Sequence, residues 1–185
     1  MGSSSTLGKK MRPFIVLVAA LCSPSIYSKD VSLCTAQEQV LFTCMVKSKT
    51  ISVCGSHGFN SESGYVQYRY GTQKKIELQY PSLVTPPKGH FWFSSTPYAG
   101  GGESRLRFIN SGAQYEVFDR TIRTGFGKDG LHYPESTAGV IVFDPGHAYK
   151  EILCTTDGTL SSELHGKIET EEFRDDRTPA DKSAP

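Results

Sequence analysis

The sequence predicts an all-β fold, a single antiparallel β-barrel or β-sandwich of about eight strands linked by disulfide bonds. Apolar and polar residues alternate in short runs, which is the pattern of half-buried strands. Gly, Pro, Asn and Asp separate these runs at spacings of roughly 8–15 residues, as is typical of sandwiches and barrels. Beyond the N-terminal leader, no stretch has the i, i+3, i+4, i+7 apolar spacing of an amphipathic helix. A chain of 185 residues suits one domain with a substantial core.

The expected strands follow one another from Gln39 to Cys154. In chain order they are QVLFTCMV, ISVCGS, GYVQYRYG, IELQYP, HFWFSST, SRLRFIN, AQYEVFDR, AGVIVFD and AYKEILC. Residues 140–143 are apolar on both faces, which predicts a central strand. LVTPPKG at 83–89 is expected to be a crossing loop, because its prolines lack the N–H that a ladder needs. DPGH at 144–147 has the composition of a turn.

Residues 1–28 are predicted to be a signal peptide with a possible N-terminal extension. Lys9, Lys10 and Arg12 precede an apolar run that is too short to span a bilayer, and small and polar residues follow it. Met11 is an alternative start, and cleavage is expected after residue 25 or 28. Cys22 offers lipidation as an alternative fate. The leader therefore predicts a periplasmic or secreted protein with no transmembrane segment in the mature chain.

Export changes how the cysteines are interpreted. The mature chain keeps an even number of them in an oxidising compartment, which predicts two disulfides among Cys34, Cys44, Cys54 and Cys154. Three connectivities are open, and the one we expect pairs Cys34 with Cys44 and Cys54 with Cys154. A zinc site is the alternative, but no C-x-x-C pair occurs.

The remaining chain divides into an all-β domain at 29–159 and a charged tail at 160–185 that we expect to be disordered. The tail carries four basic and seven acidic residues and few aromatic ones. The whole chain has a formal charge of +1, so its composition gives no reason to expect a nucleic-acid partner.

Motifs that would indicate catalysis or cofactor binding are missing or stand in the wrong context. GFGKDG at 125–130 has the G-x-G-x-x-G spacing, but the residues after it have no helical face, so a loop between strands is expected. No two histidines have metal-ligand spacing, and no G-x-S-x-G elbow occurs. We therefore predict a protein that binds rather than catalyses, without a metal, a cofactor or catalytic residues.

Two resemblances refine this expectation. The pattern C…FTC…SVC, SGYVQYRYG, IELQYP, GGGESRLRF, AGVIVF and a final Cys resembles a group of small exported bacterial β proteins of unknown function. SGAQY at 111–115 resembles the S-G-x-x-Y motif of the bacterial inhibitors of c-type lysozyme, in which a loop serine enters the enzyme's cleft. The resemblance implies that Ser111 and Gly112 form an inserting turn supported by Tyr115. The alternative is a plain hairpin turn.

The resulting functional expectation is an inhibitor or immunity-type partner of a cell-wall hydrolase such as lysozyme. Four arginines are expected to flank the SGAQY hairpin and to meet an acidic cleft: Arg105, Arg107, Arg120 and Arg123. The alternative is a carbohydrate-binding or envelope-structural module. Its stacking platforms would be the outward faces of residues 65–69 and 90–94, where Tyr65 and Trp92 lie.

Overall fold

The computed structural model describes residues 1–2, 32–147 and 149–174. The predicted signal peptide lies outside these ranges apart from its first two residues, and so does the end of the tail. The strands are β1 (Glu38–Val46), β2 (Lys49–Ser56), β3 (Val66–Thr72), β4 (Lys75–Tyr80), β5 (Trp92–Tyr98), β6 (Gly101–Asn110), β7 (Ala113–Phe126), β8 (His132–Phe143), β9 (Lys150–Leu153) and β10 (Glu169–Thr170). A short 3-10 helix, Ser162–Leu164, precedes β10. The all-β prediction is confirmed.

The strands form two sheets. One has the order β1-β2-β3-β4, and the other has the order β10-β5-β6-β7-β8-β9. Neighbouring strands are antiparallel except for β10, which runs parallel to β5. Consecutive strands are mostly neighbours, as is usual for hairpin-rich β proteins. Of the two predicted architectures, the sandwich is the one that these sheets fit.

The main core lies between the two sheets. Alternation along β6 directs Leu106 and Phe108 inward, and both side chains are completely buried. Phe108 stacks between Tyr80, with ring centroids 4.8 Å apart, and Tyr115, with centroids 4.9 Å apart. Burying each large apolar side chain contributes roughly 1.5–3 kcal/mol, so this inter-sheet layer is the main source of stability.

The predicted disulfide pairing is wrong. The bonds join Cys34 to Cys54 and Cys44 to Cys154. The reason is the face to which each cysteine points. Cys44 lies in the inter-sheet core, whereas Cys54 lies opposite the exposed Val40 on the outer face, where the segment carrying Cys34 covers it. Adjacent strands therefore send their cysteines to opposite sides of the sheet.

The predicted disorder of the tail differs from the structure over residues 160–174. Leu160, Leu164 and Ile168 are buried in the main core, and β10 extends the six-stranded sheet. Their spacing of four residues is hidden among charged neighbours, so composition alone misses it.

No helix among the described residues is both long enough and apolar enough to cross a membrane.

Candidate binding site at one end of the sandwich

The SGAQY motif forms the tight turn between β6 and β7. Asn110 pairs with Ala113, which leaves Ser111 and Gly112 as a two-residue loop. Both have positive φ, 52° and 87°, as a type I′ turn requires. Ser111 is exposed to solvent. The hairpin that the sequence predicts is present, and its exposed serine occupies a backbone conformation that favours Gly or Asn.

Tyr115 does not point out of the turn. It lies on the inner face of β7 with its ring parallel to that of Phe108, at an interplanar angle of 3°. Burial, with a smaller contribution from the charge of Asp144, raises the pKa of the Tyr115 hydroxyl. Tyr115 therefore supports the turn from within the sandwich, and its hydroxyl remains protonated at neutral pH.

Behind the turn, an open cleft of about 580 Å³ separates the two sheets at this end. Its apolar wall on the four-stranded sheet consists of Ile51, Tyr68, Tyr70 and Leu78. The opposite wall consists of Tyr115, Val140, Val142 and Ile152. Charged or titratable side chains also line it, namely Glu77, Asp144, His147 and Lys150. A concave apolar site with a few polar groups is the usual form of a ligand pocket.

Ion pairs organise the rim of this cleft. Lys49 lies 2.5 Å from Glu77 and its ammonium group is 5.2 Å from the centroid of the Tyr70 ring. On the opposite rim, His147 Nδ1 is 3.5 Å from Asp144 Oδ2, and both side chains are largely exposed. The cleft thus offers groups of both charge signs around an apolar interior, which suits an amphipathic ligand.

The cleft is lined by tyrosine hydroxyls and by a histidine–carboxylate pair. No Ser, Thr or Cys is among the described residues that line it, so the His147–Asp144 pair has no such nucleophile beside it. Burial raises the pKa of the Tyr68 hydroxyl. Because the hydroxyls of Tyr68 and Tyr115 stay protonated, they are available as hydrogen-bond donors. Within the described ranges, no group of three or more His, Cys, Asp or Glu side chains is placed to hold a metal ion.

The predicted flanking arginines are not at the turn. Arg120 lies eight residues beyond Gly112 along β7, which corresponds to roughly 25 Å. Its guanidinium is 3.3 Å from Glu151. Arg123 is further along the strand, and its side chain covers Gly100. A Cβ atom added to Gly100 would lie 3.0 Å from Arg123 Nε. Closeness in sequence misled the prediction, because an extended strand carries its residues rapidly away from a turn.

Arg105 and Arg107 are also not available to the turn. Both lie on the outer face of the six-stranded sheet and are 4% exposed. Arg105 pairs with Glu103 at 2.7 Å, and Arg107 pairs with Glu171 at 2.6 Å. These arginines hold the C-terminal segment instead of facing a partner at the turn.

The two expected stacking platforms are occupied by internal contacts. The Tyr65 hydroxyl donates to Glu38, which also forms an ion pair with Arg69 at 2.6 Å. Trp92 lies under the guanidinium of Arg107, 4.2 Å from ring centroid to Cζ. Neither face is the open aromatic surface that the sequence suggested.

Sequence reasoning missed the cleft itself. Tyr68 and Tyr70 are two residues apart and therefore share one face of β3, and this alternation is the signal that the sequence contains. It could not show which residues of the other sheet would face them. Comparison with protein-family models, characterised proteins and solved structures finds no match to this chain.

Proposed function

We propose that this is an exported, non-catalytic binding protein that contacts its partner with the turn end of the sandwich. This end comprises the Ser111–Gly112 turn and the cleft behind it. The observation that carries the proposal is the exposed Ser111 in a left-handed conformation, at the tip of a hairpin with a stacked aromatic base. Backbone strain of this kind concentrates at functional sites.

Rigidity is what makes the turn suitable for insertion into a partner. Asn110 and Ala113 pair directly across it, and the Phe108–Tyr115 stack fixes the strands below. A turn that is already ordered loses little conformational entropy on binding. The Ser111 hydroxyl can donate to a carboxylate, and such charge-assisted hydrogen bonds are stronger than neutral ones.

A cell-wall hydrolase such as lysozyme is the partner we propose first. The S-G-x-x-Y resemblance and the predicted export to the periplasm or the outside of the cell support this choice. The two disulfide bonds agree with an oxidising compartment. In this proposal Ser111 approaches the catalytic carboxylates, while Tyr115 keeps the turn in place.

The decisive experiment measures inhibition of a c-type lysozyme by the purified chain and by Ser111→Ala. We expect inhibition by the wild-type chain and at least a tenfold loss in the variant, since one charge-assisted hydrogen bond is worth about 1.5–3 kcal/mol. Ser95→Ala is the matched control, because Ser95 is exposed on β5 and outside the turn. No inhibition by the wild-type chain, or equal inhibition by all three proteins, refutes the hydrolase assignment.

The cleft favours a second candidate, a carbohydrate or a similar amphipathic ligand. The rings of Tyr68, Tyr70 and Tyr115 offer apolar contact, and the rim offers hydrogen bonds. Calorimetric titration with oligomers of N-acetylglucosamine tests it, with Tyr70→Ala as the disrupting variant. Binding that Tyr70→Ala abolishes and Ser111→Ala leaves intact supports this candidate, and an absence of heat with wild-type protein refutes it.

A further inference from the structure

The last described residues, 169–174, lie as an extended strap along the edge of the six-stranded sheet. Glu169 and Thr170 pair with Trp92 and Phe93 of β5 in parallel register. The Glu171 N–H then donates to the Phe93 carbonyl at 2.9 Å. This is the geometry by which an extended peptide adds a strand to a sheet edge.

Two arginines of β6 recognise alternate side chains of the strap. Arg107 Nε lies 2.8 Å and 2.9 Å from the two carboxylate oxygens of Glu171, and its Nη2 donates to one of them at 2.6 Å. Arg105 Cζ lies 4.3 Å from the centroid of the Phe173 ring, and Arg105 Nη1 donates to the Arg174 carbonyl at 2.7 Å. Backbone pairing with the sheet edge is independent of sequence, whereas these side-chain contacts select a glutamate followed two residues later by an aromatic residue.

The sheet and the strap supply different contacts to the two arginines, although Glu116 lies opposite Arg107 in register and its charge acts on both. Arg105 forms ion pairs with Glu103 and Glu116, both of which are on the sheet. The ion-pair partner of Arg107 among the described residues is Glu171 of the strap. Removing the partner of a buried ion pair is costly, so the groove favours a carboxylate at the position of Glu171. The Trp92 ring on the other side of the Arg107 guanidinium helps to hold it in place.

The strap, unlike the segment before it, contributes no side chain to the main core. Leu164 and Ile168 are buried in the main core, which anchors the chain up to the start of β10. Beyond that point Thr170 and Glu172 are exposed, and two residue pairs join β10 to β5. Release of residues 169–174 would therefore leave the main core closed.

We propose that this groove is a peptide-binding site for an extended segment of a partner protein in which a glutamate stands two residues before an aromatic residue. The chain's own residues 169–174 occupy the site in cis and are exchangeable. The segment seated there, Glu171-Glu172-Phe173, and the direct ion pair between Arg107 and Glu171 indicate the chemistry of the occupant. The site lies on the outer face of the six-stranded sheet, so it is separate from the turn end.

The experiment uses the full chain and a fluorescein-labelled peptide of sequence ETEEFR, titrated by fluorescence anisotropy. In wild-type protein the cis strap competes at high effective concentration, so peptide binding is weak. The variant Glu171→Gln with Phe173→Ala weakens the strap, and we expect it to bind the peptide at least about tenfold more tightly. Adding Arg107→Met to that variant is expected to remove the gain in peptide affinity. Glu172→Gln is the matched control, because Glu172 is exposed and lies between the two recognised side chains.

A second readout comes from Trp92, the single tryptophan of the chain. Its emission is expected to shift when the strap is weakened and to return when the peptide is added. If the double variant loses its β-sheet circular dichroism, Glu171→Gln alone makes the same comparison. Equal affinity of wild type and strap variant overturns the proposal, as does equal binding of the peptide ETQEAR. Dimerisation of the wild-type chain without peptide binding likewise overturns it, because the groove then serves only copies of this chain.

Discussion

The ion pair between Glu38 and Arg69 gives the stability of this protein a defined dependence on pH. Burial raises the pKa of the Glu38 carboxyl, but hydrogen bonds from Arg69, the Thr35 N–H and Tyr65, together with the Arg69 charge, outweigh this effect. The net result lowers the pKa from 4.5 to about 2. The geometry is consistent with so large a change, since Arg69 reaches both carboxylate oxygens at 2.8 Å and 2.6 Å.

The sign and size of the effect follow from linkage. A carboxyl group with a lower pKa in the folded state adds stability above its unfolded pKa and loses it as the pH falls through the folded value. At about 1.36 kcal/mol per pKa unit, Glu38 contributes about 3 kcal/mol at pH 7. Most of this disappears between about pH 4.5 and pH 2.

Urea unfolding of wild type and Glu38→Gln from pH 7 to pH 2 measures this contribution. We expect the variant to be less stable by about 3 kcal/mol at pH 7 and by less than about 1 kcal/mol at pH 2. Burial raises the pKa values of Glu116 and Asp119, and these groups favour the folded state as the pH falls. Both proteins contain them, so their contribution cancels in the difference.

Glu62→Gln is the control for this series. Glu62 forms an ion pair with Lys88 at 2.5 Å, but the two side chains are 67% and 57% exposed. Exposed ion pairs contribute little to stability, so we expect the urea unfolding of Glu62→Gln to match that of wild type. A Glu38→Gln difference that is already small at pH 7, or that persists unchanged to pH 2, would show that the Glu38–Arg69 ion pair does not stabilise the fold in this way.

Three further predictions concern the bridges and the turn. Replacing both cysteines of the Cys44–Cys154 bond with Ala should lower the free energy of unfolding in urea by about 5 kcal/mol, and the same change at Cys34–Cys54 should lower it by about 3 kcal/mol. The first bond costs more to remove because it closes a loop of 110 residues, against 20 for the second. Equal losses would contradict the chain-entropy explanation. Ser111→Asn should raise the unfolding free energy by roughly 0.5–1 kcal/mol, since Asn tolerates positive φ better than Ser; a loss of stability would argue against strain at the turn. Tyr115→Ala removes the ring that stacks on Phe108 and should lower the free energy of urea unfolding by roughly 2–4 kcal/mol, whereas Tyr115→Phe should stay within about 1 kcal/mol of wild type. Similar losses in both variants would mean that Tyr115 stabilises the fold through its hydroxyl and not through its ring.

The strands and turns could be predicted because they depend on local pattern. Alternation predicted a strand at each of β1 to β9, and the Ser111–Gly112 pair marked the β6–β7 turn. The predicted runs for β7 and β8 were too short, since β7 continues beyond Arg120 to Phe126 and β8 begins at His132. The disulfide pairing could not be obtained in this way, since it depends on which face each cysteine occupies. The register of β1 against β2 shifts between Val40 and Phe42, and such a bulge leaves no distinct signal in the sequence.

The cleft and the strap depend on contacts between distant parts of the chain. Tyr70 and Lys150 meet at the cleft only because the two sheets pack with their turn ends together. Arg107 and Glu171 are 64 residues apart and meet because β10 joins the edge next to β5. Charge composition predicted a solvated tail, since nothing local distinguishes Glu171 from the neighbouring acids.

Alternation along β6 and β7 also explains how one pair of strands can serve two surfaces. Phe108 and Tyr115 face the inter-sheet core and support the turn, while their sequence neighbours Arg107 and Glu116 face the outer groove. A side chain on one face does not touch the site on the other, so the two surfaces can change independently. Weakening the strap with Glu171→Gln should accordingly leave lysozyme inhibition unaltered, and Ser111→Ala should leave peptide binding unaltered. Coupling between the two would mean that the strands themselves shift when the strap leaves, because no side chain is shared between the sites.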